Sequence, residues 1–420
     1  MRKNFLPLGR RLQELPLLPG ILGISLLFAT LPAAAQSTGR AASQHGRARP
    51  AKIATIVAEE VVQGLDHPWA MAFLPDGRAL VTERGGALRI VDTAEGELSA
   101  PLEGTPAVYA KGQGGLLDVA LDPDFATNRL VYLSFAEPGG GGASTAVGRG
   151  RLEGGRLEGF EVIFSQEPKV EGDKHFGGRI VFSPEGLLFL TLGERGLSEP
   201  AQDLSNHLGK VVRIERDGSV PADNPFADRS DARPEIWSYG HRNIEGAAIE
   251  PGTDMLWVAE MGPYSGDDEL NIAEPGLDYG WGQDSDGRDV PKPPPDERIG
   301  DAIEHWTPAI SPSGMIFYTG TVFPEWRGSV LIGGLTARGI VRLVLDGREV
   351  VEEERIPLGE RIRDIVQGPD GLIYVLTDEA AGSIWRLEPQ REDVPAVDPS
   401  LSTLRASCVI EEPKLTSRVR

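Results

Sequence analysis

The 420-residue sequence predicts an all-β chain, a six-bladed β-propeller of four-stranded antiparallel blades. Three observations carry this expectation. From Val61 onward, short runs rich in Val, Ile, Leu, Phe and Tyr recur between Gly, Pro and Asp, and no long stretch has the helical period. A related proline-led turn precedes such a run six times. The intervals between those prolines are 48, 61, 67, 61 and 57 residues, the length of a four-stranded unit with its loops.

In chain order, Pro75-Asp76-Gly77 leads into ALVTE, Pro123-Asp124 into LVYLSF, and Pro184-Glu185-Gly186 into LLFLTLGE. Pro251-Gly252 leads into MLWVAE, Pro312-Ser313-Gly314 into MIFYTG, and Pro369-Asp370-Gly371 into LIYVLTDE. Proline pre-sets φ at the first central position of a turn and Gly tolerates positive φ at the next, so each copy reads as a hairpin connection. A seven-bladed ring with one degenerate unit and a pair of β-sandwiches are the alternative architectures.

The flanks read differently. Arg2, Lys3, Arg10 and Arg11 precede an apolar run from Leu15 to Leu31 that ends in Ala33-Ala34-Ala35, so residues 1–35 read as a signal peptide cleaved near Ala35. Pro16, Pro19 and Gly20 interrupt the run, which argues against a membrane anchor. The expected location is periplasmic or secreted. Residues 36–55 lack hydrophobic period and read as a disordered lead-in, 56–390 as the propeller, and 391–420 as a C-terminal tail.

Charge narrows the function classes. The formal net charge is −21, and loss of residues 1–35, which carry a net +3, leaves −24. Such a field repels nucleic acid and anionic lipid and suits neutral substrates or cations such as calcium. Cys408 is the single cysteine, so no intrachain disulfide can form in a chain expected to act as a monomer or homodimer.

Three motif groups carry polar chemistry. In Lys174-His175-Phe176-Gly177-Gly178-Arg179, followed by Gly193-Glu194, an imidazole beside glycines can approach a substrate while a carboxylate fixes its tautomer. That makes His175 a candidate general base oriented by Glu194; a packing or turn histidine is the plain alternative. Arg242-Asn243 places a guanidinium beside an amide, and the segment from Glu260 to Asn271 offers carboxylate and carbonyl oxygens suited to calcium, or else a solvated acidic hairpin. Alternation across Arg361-Ile362-Arg363 sets two cations on one strand face, as an anion clamp or as outward salt-bridge partners.

The order of these segments is more specific than any one alone. GLDHPWAMAFLPDGRALVTER (64–84), GQGGLLDVALDPDF (112–125), KHFGGRIVFSPEGLLFLTLGERG (174–196), QDLSNHLGKVVRIERDGSVPADNPF (202–226), YGHRN (239–243), GPYSGDDELN (262–271) and RIRDIVQGPDGLIYVLTDE (361–379) follow one another as in one family. From Leu65 to Leu387 the chain resembles the soluble aldose sugar dehydrogenases of the glucose/sorbosone dehydrogenase family.

That resemblance implies a six-bladed propeller with pyrroloquinoline quinone (PQQ) over the channel mouth, calcium beside it, a sugar substrate and an external electron acceptor. It implies that His175 is the catalytic base, Glu194 its acidic partner, and Arg242 a catalytic and cofactor-binding residue. Gln113, Asn243, Arg361 and Arg363 match further quinone contacts, and Thr336 stands where relatives often carry Lys, with Arg338 nearby. The carbonyls of Gly262 and Pro263 match one calcium position, and Glu269 with the Tyr279 carbonyl matches another. The acidic, proline-rich segment 283–300 and Met261 depart from the family pattern. A calcium-dependent lactonase would use His and calcium without the paired arginines, and a propeller serving only as a binding module would need none of them.

Overall fold

The computed structural model describes residues 56–263, 266–282 and 300–390; the expected signal peptide, lead-in and tail, and residues 283–299, lie outside them. The first strand, β1 (Ile56–Leu65), does not begin the first blade. That blade comprises β2 (Pro68–Phe73), β3 (Ala79–Glu83), β4 (Leu88–Asp92) and β5 (Glu97–Leu98). The second holds β6 (Leu116–Leu121), β7 (Leu130–Gly139), β8 (Gly142–Glu153) and β9 (Arg156–Ser165). The third holds β10 (Gly177–Phe182), β11 (Leu188–Leu192), β12 (Lys210–Ile214) and β13 (Ile236–Tyr239), and the fourth β14 (Ile244–Ile249), β15 (Leu256–Glu260), β16 (Asp268–Ile272) and β17 (Glu304–Trp306). The fifth holds β18 (Pro312–Phe317), β19 (Val330–Gly334), β20 (Gly339–Asp346) and β21 (Glu349–Pro357). The sixth runs β22 (Ile362–Gln367), β23 (Ile373–Thr377), β24 (Gly382–Pro389), and closes with β1 as its outer strand.

That last pairing shuts the ring. β1 and β24 are antiparallel from Ile56↔Pro389 to Leu65↔Gly382, so the start of the propeller is hydrogen-bonded to its end. Closure removes the open edges that a linear row of sheets would leave. The inner strands β2, β6, β10, β14, β18 and β22 neighbour one another around the axis. Among the described residues, no helix is long and apolar enough to cross a membrane.

Each blade must bury both faces, and the sequence supplies this with short unbroken apolar runs rather than alternation. All five residues of β3, β11, β12, β15, β19 and β23 are buried. Six apolar clusters result, one at each junction between adjacent blades. Five of the six expected turns join an inner strand to the next one out. The fifth is out of phase: Pro312-Ser313-Gly314 lies within the inner strand β18, and the chain reaches β19 through a longer link containing a 3₁₀ turn at Pro324–Trp326. Its resemblance to the other turns is local: here Pro312 pairs with Gly334 across the ladder, and Ser313 and Gly314 fall in the register shift before Met315.

Every inner strand also carries a register shift near its start, between Pro68 and Ala70, Leu116 and Val119, Gly177 and Ile180, Ile244 and Gly246, Pro312 and Met315, and Ile362 and Asp364. An extra residue in one strand re-aims side chains locally. The polar residues of the channel lie at these bulges.

Candidate active site

Antiparallel pairing puts the start of each inner strand beside the end of the second strand, so both converge on one rim of the channel. Loops from neighbouring blades are stitched together there: Leu116 N–H to the Arg84 carbonyl, Gln113 N–H to Asp173, Glu194 N–H to Arg242, and His67 N–H to Glu379. Gln113, His175, Glu194, Arg242, Asn243, Gly262, Pro263, Thr336, Arg361 and Arg363 all lie at this rim although they span most of the chain.

The base candidate is held from several sides. His175 has φ 54°, a left-handed conformation that a non-glycine residue adopts rarely and that surrounding contacts must enforce. Its backbone N–H donates to Gln113 Oε1 at 2.6 Å, and its Nδ1 lies 2.7 and 2.9 Å from the two Glu194 carboxylate oxygens. Glu194 is 2% exposed and cannot donate when ionised, so it fixes the proton on Nδ1 and leaves Nε2 as the basic nitrogen. Gly193 is required here because a Cβ would collide with the His175 carbonyl.

The same device recurs. Glu83, Glu194, Glu260 and Asp378 stand at or just past the end of the second strand in four blades, each bonded to the segment entering the inner strand of its own blade. Glu83 accepts from the Asp66 N–H at 2.9 Å, Glu260 from the Arg242 N–H, and Asp378 from Arg361 and Arg363. Glu194 and Glu260 each also hold an imidazole, but His241 at Glu260 is fully buried with its other nitrogen on Ser238, whereas His175 at Glu194 reaches the rim. Glu83 and Asp378 were missed in the sequence, and Glu260 was read there only within the calcium segment; the acid ending VTE, LGE, VAE and TDE was the available signal.

Arg242 donates from Nη1 to the Met261 carbonyl at 2.8 Å and lies 5.3 Å from the Trp281 ring centroid. Asn243 is fully buried: Oδ1 accepts from the Gly177 N–H at 3.0 Å and Nδ2 donates to Glu245 at 3.0 Å. Its amide thus supports the base loop directly. Arg361 and Arg363 both grip Asp378, at 2.7 and 3.1 Å, and Arg363 also pairs with Glu245. These cations outweigh the effect of burial and hold Asp378 below the usual carboxylate range. Arg361 keeps about a third of its side-chain surface exposed, whereas Arg363 is 8% exposed. Thr336 is exposed and donates to the Ala309 carbonyl at 2.9 Å, while Arg338 turns to the Gly359 carbonyl and Glu360.

The calcium candidates fall into two groups. Gly262 is anchored through its N–H to Asp268 at 2.8 Å, and the Pro263 carbonyl accepts from Gly266 at 3.0 Å. Glu269 pairs across the ladder with Glu260, which bonds His241 at 3.0 Å, and His241 stacks on Tyr279 with centroids 4.6 Å apart. Burial, then the charge of Glu260, pushes Glu269 up to about 7. Asn271 donates to Glu269 at 3.0 Å while its own Oδ1 is buried without a partner. A buried carboxylate, Glu260, and a half-buried one, Glu269, beside an orphaned oxygen are the surroundings a hard cation relieves. Among the described residues, no group of three or more His, Cys, Asp and Glu side chains forms a ready cage, so carbonyl oxygens would have to complete any such site.

The sequence model for the Glucose / Sorbosone dehydrogenase family matches residues 65–386. An aldose sugar dehydrogenase of Escherichia coli is 45% identical over 350 residues, covering 80% of this chain and 94% of that protein. The crystal structure of the soluble E. coli aldose sugar dehydrogenase in its apo form superposes with a TM-score of 0.75 at 43% identity, covering 80% of this chain and all of the other. The PQQ-bound aldose sugar dehydrogenase of Streptomyces coelicolor gives a TM-score of 0.67 at 27% identity, covering 81% of this chain and 100% of that one. With its closed ring of six blades and with these likenesses running through nearly the whole propeller, the chain belongs to the glucose/sorbosone dehydrogenase family of sugar oxidoreductases.

Proposed function

We propose that this protein oxidises aldoses at C1 to aldonolactones, using PQQ and calcium, with His175 as general base. The observation that carries the reading is the buried pairing of His175 Nδ1 with Glu194 at 2.7 Å. It presents an oriented imidazole at the mouth of a channel rimmed by arginines. Arg242 and Arg361 suit the carboxylates of the quinone, and the Glu269 and Asn271 oxygens suit calcium.

When bound, the quinone supplies the hydride acceptor and calcium the Lewis acid that polarises it. His175 Nε2 takes the proton from the anomeric hydroxyl as C1 loses hydride, and Glu194 steadies the resulting imidazolium. Arg242 is the group proposed to offset developing negative charge. Gln113 and Asn243 keep the imidazole loop in its left-handed turn. The charged, apolar leader of residues 1–35 supports export, where an external acceptor would complete the cycle.

The test is to add PQQ and calcium to purified apoprotein and to follow dye reduction with a panel of aldoses. Quinone-dependent, calcium-dependent turnover is expected. Failure to bind quinone, or lactone hydrolysis without it, would replace this reading with a hydrolase or a binding module.

A further inference from the structure

Arg195 follows Glu194 in the chain, and no part of the chemistry above uses it. It is 3% exposed and has φ 62°. Its Nη2 donates to the Gly172 carbonyl at 2.9 Å, its guanidinium carbon lies 3.4 Å from the Phe176 ring centroid, and its backbone N–H meets the His175 carbonyl at 3.3 Å. One residue therefore touches the imidazole loop before, at and after His175. Nε and Nη1 are buried with no hydrogen-bond partner. Two unsatisfied donors on a buried cation cost stability, so a packing role alone would favour a neutral side chain.

The adjacent pair supplies a reason for the charge. Glu194 is a carboxylate in a nearly closed site, and a buried acidic group is favoured by a cation held on the loop that faces it. Lys174 and Asp173 on the same loop are exposed and screened by water, and Lys111 is exposed over the Tyr109 ring. Burial pushes the Arg195 guanidinium down to about 10, against the pull of Glu194, Tyr109 and Asp173, which leaves it charged at neutral pH.

We propose that Arg195 is a positioning residue for the His175–Glu194 pair, its guanidinium clamping the imidazole loop, through the Gly172 carbonyl and the Phe176 ring, onto the carboxylate turn. The inference rests on His175 being the base. It also makes a prediction that needs neither quinone nor sugar.

The test uses the full chain with Arg195→Gln, which removes charge at the same backbone conformation, and Arg195→Lys, which keeps it. In the apoprotein, proton NMR should show a downfield, slowly exchanging imidazole Nδ1–H signal that Glu194→Ala, which removes the acceptor, assigns by its loss. The signal should persist in Arg195→Lys and broaden into solvent exchange in Arg195→Gln. In the loaded enzyme, Arg195→Gln should lower kcat about 10- to 100-fold, the usual scale for partners that orient a reacting group, with the sugar KM and quinone Kd within about twofold. Arg195→Lys should recover most of kcat. An unchanged signal and kcat in Arg195→Gln would overturn the proposal. So would equal losses in both variants tracking a lowered Tm, which would make Arg195 a packing residue. If the wild type oxidises no sugar, the dehydrogenase reading falls, and the NMR comparison alone decides for or against the Arg195 clamp.

Discussion

His175 and Glu194 differ from the other rim pairs in what is being held. Glu83 holds the Asp66 N–H, and Glu260 holds the Arg242 N–H together with His241, a ring fully buried with its other nitrogen on Ser238, whereas Glu194 holds a ring that reaches the rim. The two kinds should separate on substitution. His175→Ala should keep quinone affinity and lose about 10²- to 10⁴-fold in kcat, the range that general base catalysis supplies. Glu194→Gln retains an acceptor for Nδ1–H but not the charge that steadies an imidazolium, so kcat should fall roughly 10- to 100-fold with little change in Tm. Glu83→Gln should shift neither kcat nor quinone affinity. Steady-state kinetics beside quinone titration checks all three, and a Glu83→Gln variant as inactive as Glu194→Gln would show that the rim carboxylates act through the fold.

At the scale of the element, the blade works because strands with two buried faces stack on strands of the next blade. Leu190 in β11 is fully buried in the cluster shared by the second and third blades. Leu190→Ala should cost about 2 to 5 kcal/mol by denaturant unfolding, since the ring cannot collapse around a cavity without moving its neighbours. A loss under about 1 kcal/mol would mean the blades slide to fill it. These strands were legible because a run such as LLFLTLG has no helical reading and is bounded by turn residues. The exchange of β1 into the last blade was not, because nothing in IVAEEVVQGL names its distant partner, Gly382–Pro389. The out-of-phase turn at Pro312 shows the same limit: a Pro-Ser-Gly triplet specifies local backbone freedom, not its place in a blade. Residues at the rim were legible as types, through His beside Gly and Arg beside Asn. Of their supports, Glu245 reaches Arg363 from another blade, and Glu260 and Asp378 bond back from the second strand to the entry of their own blades, partners that a linear reading had no means to join.

For the molecule as a whole, the axis of the ring is closed by charge. Arg179 lies 3.0 Å from Asp364 and 3.5 Å from Asp118, over the Trp69 ring at 4.2 Å, and donates to the carbonyls of Glu245 and Arg363. Met71 N–H bonds Asp364 and Ser313 donates to the Arg363 carbonyl, so all six blades meet in one buried network. Two carboxylates share Arg179, and burial pushes Asp118 up to about 6 from 3.8. The folded protein then holds a proton there that the unfolded chain has released, between about pH 4 and 6. The stabilisation from this group is complete below about pH 4 and lost as pH rises through 6. Asp118→Asn removes the titration, and it also disturbs the Ile180 and Val119 N–H bonds, so the variant should be less stable throughout. Its deficit should shrink by roughly 1 to 2 kcal/mol between pH 5 and 7.5, because the wild type alone loses stability over that interval. Denaturant unfolding at the two pH values measures the difference directly. A deficit independent of pH would mean that Asp118 stays ionised and that the axis is held by a plain ion pair with Arg179; a growing deficit would mean that the ionised carboxylate stabilises the ring.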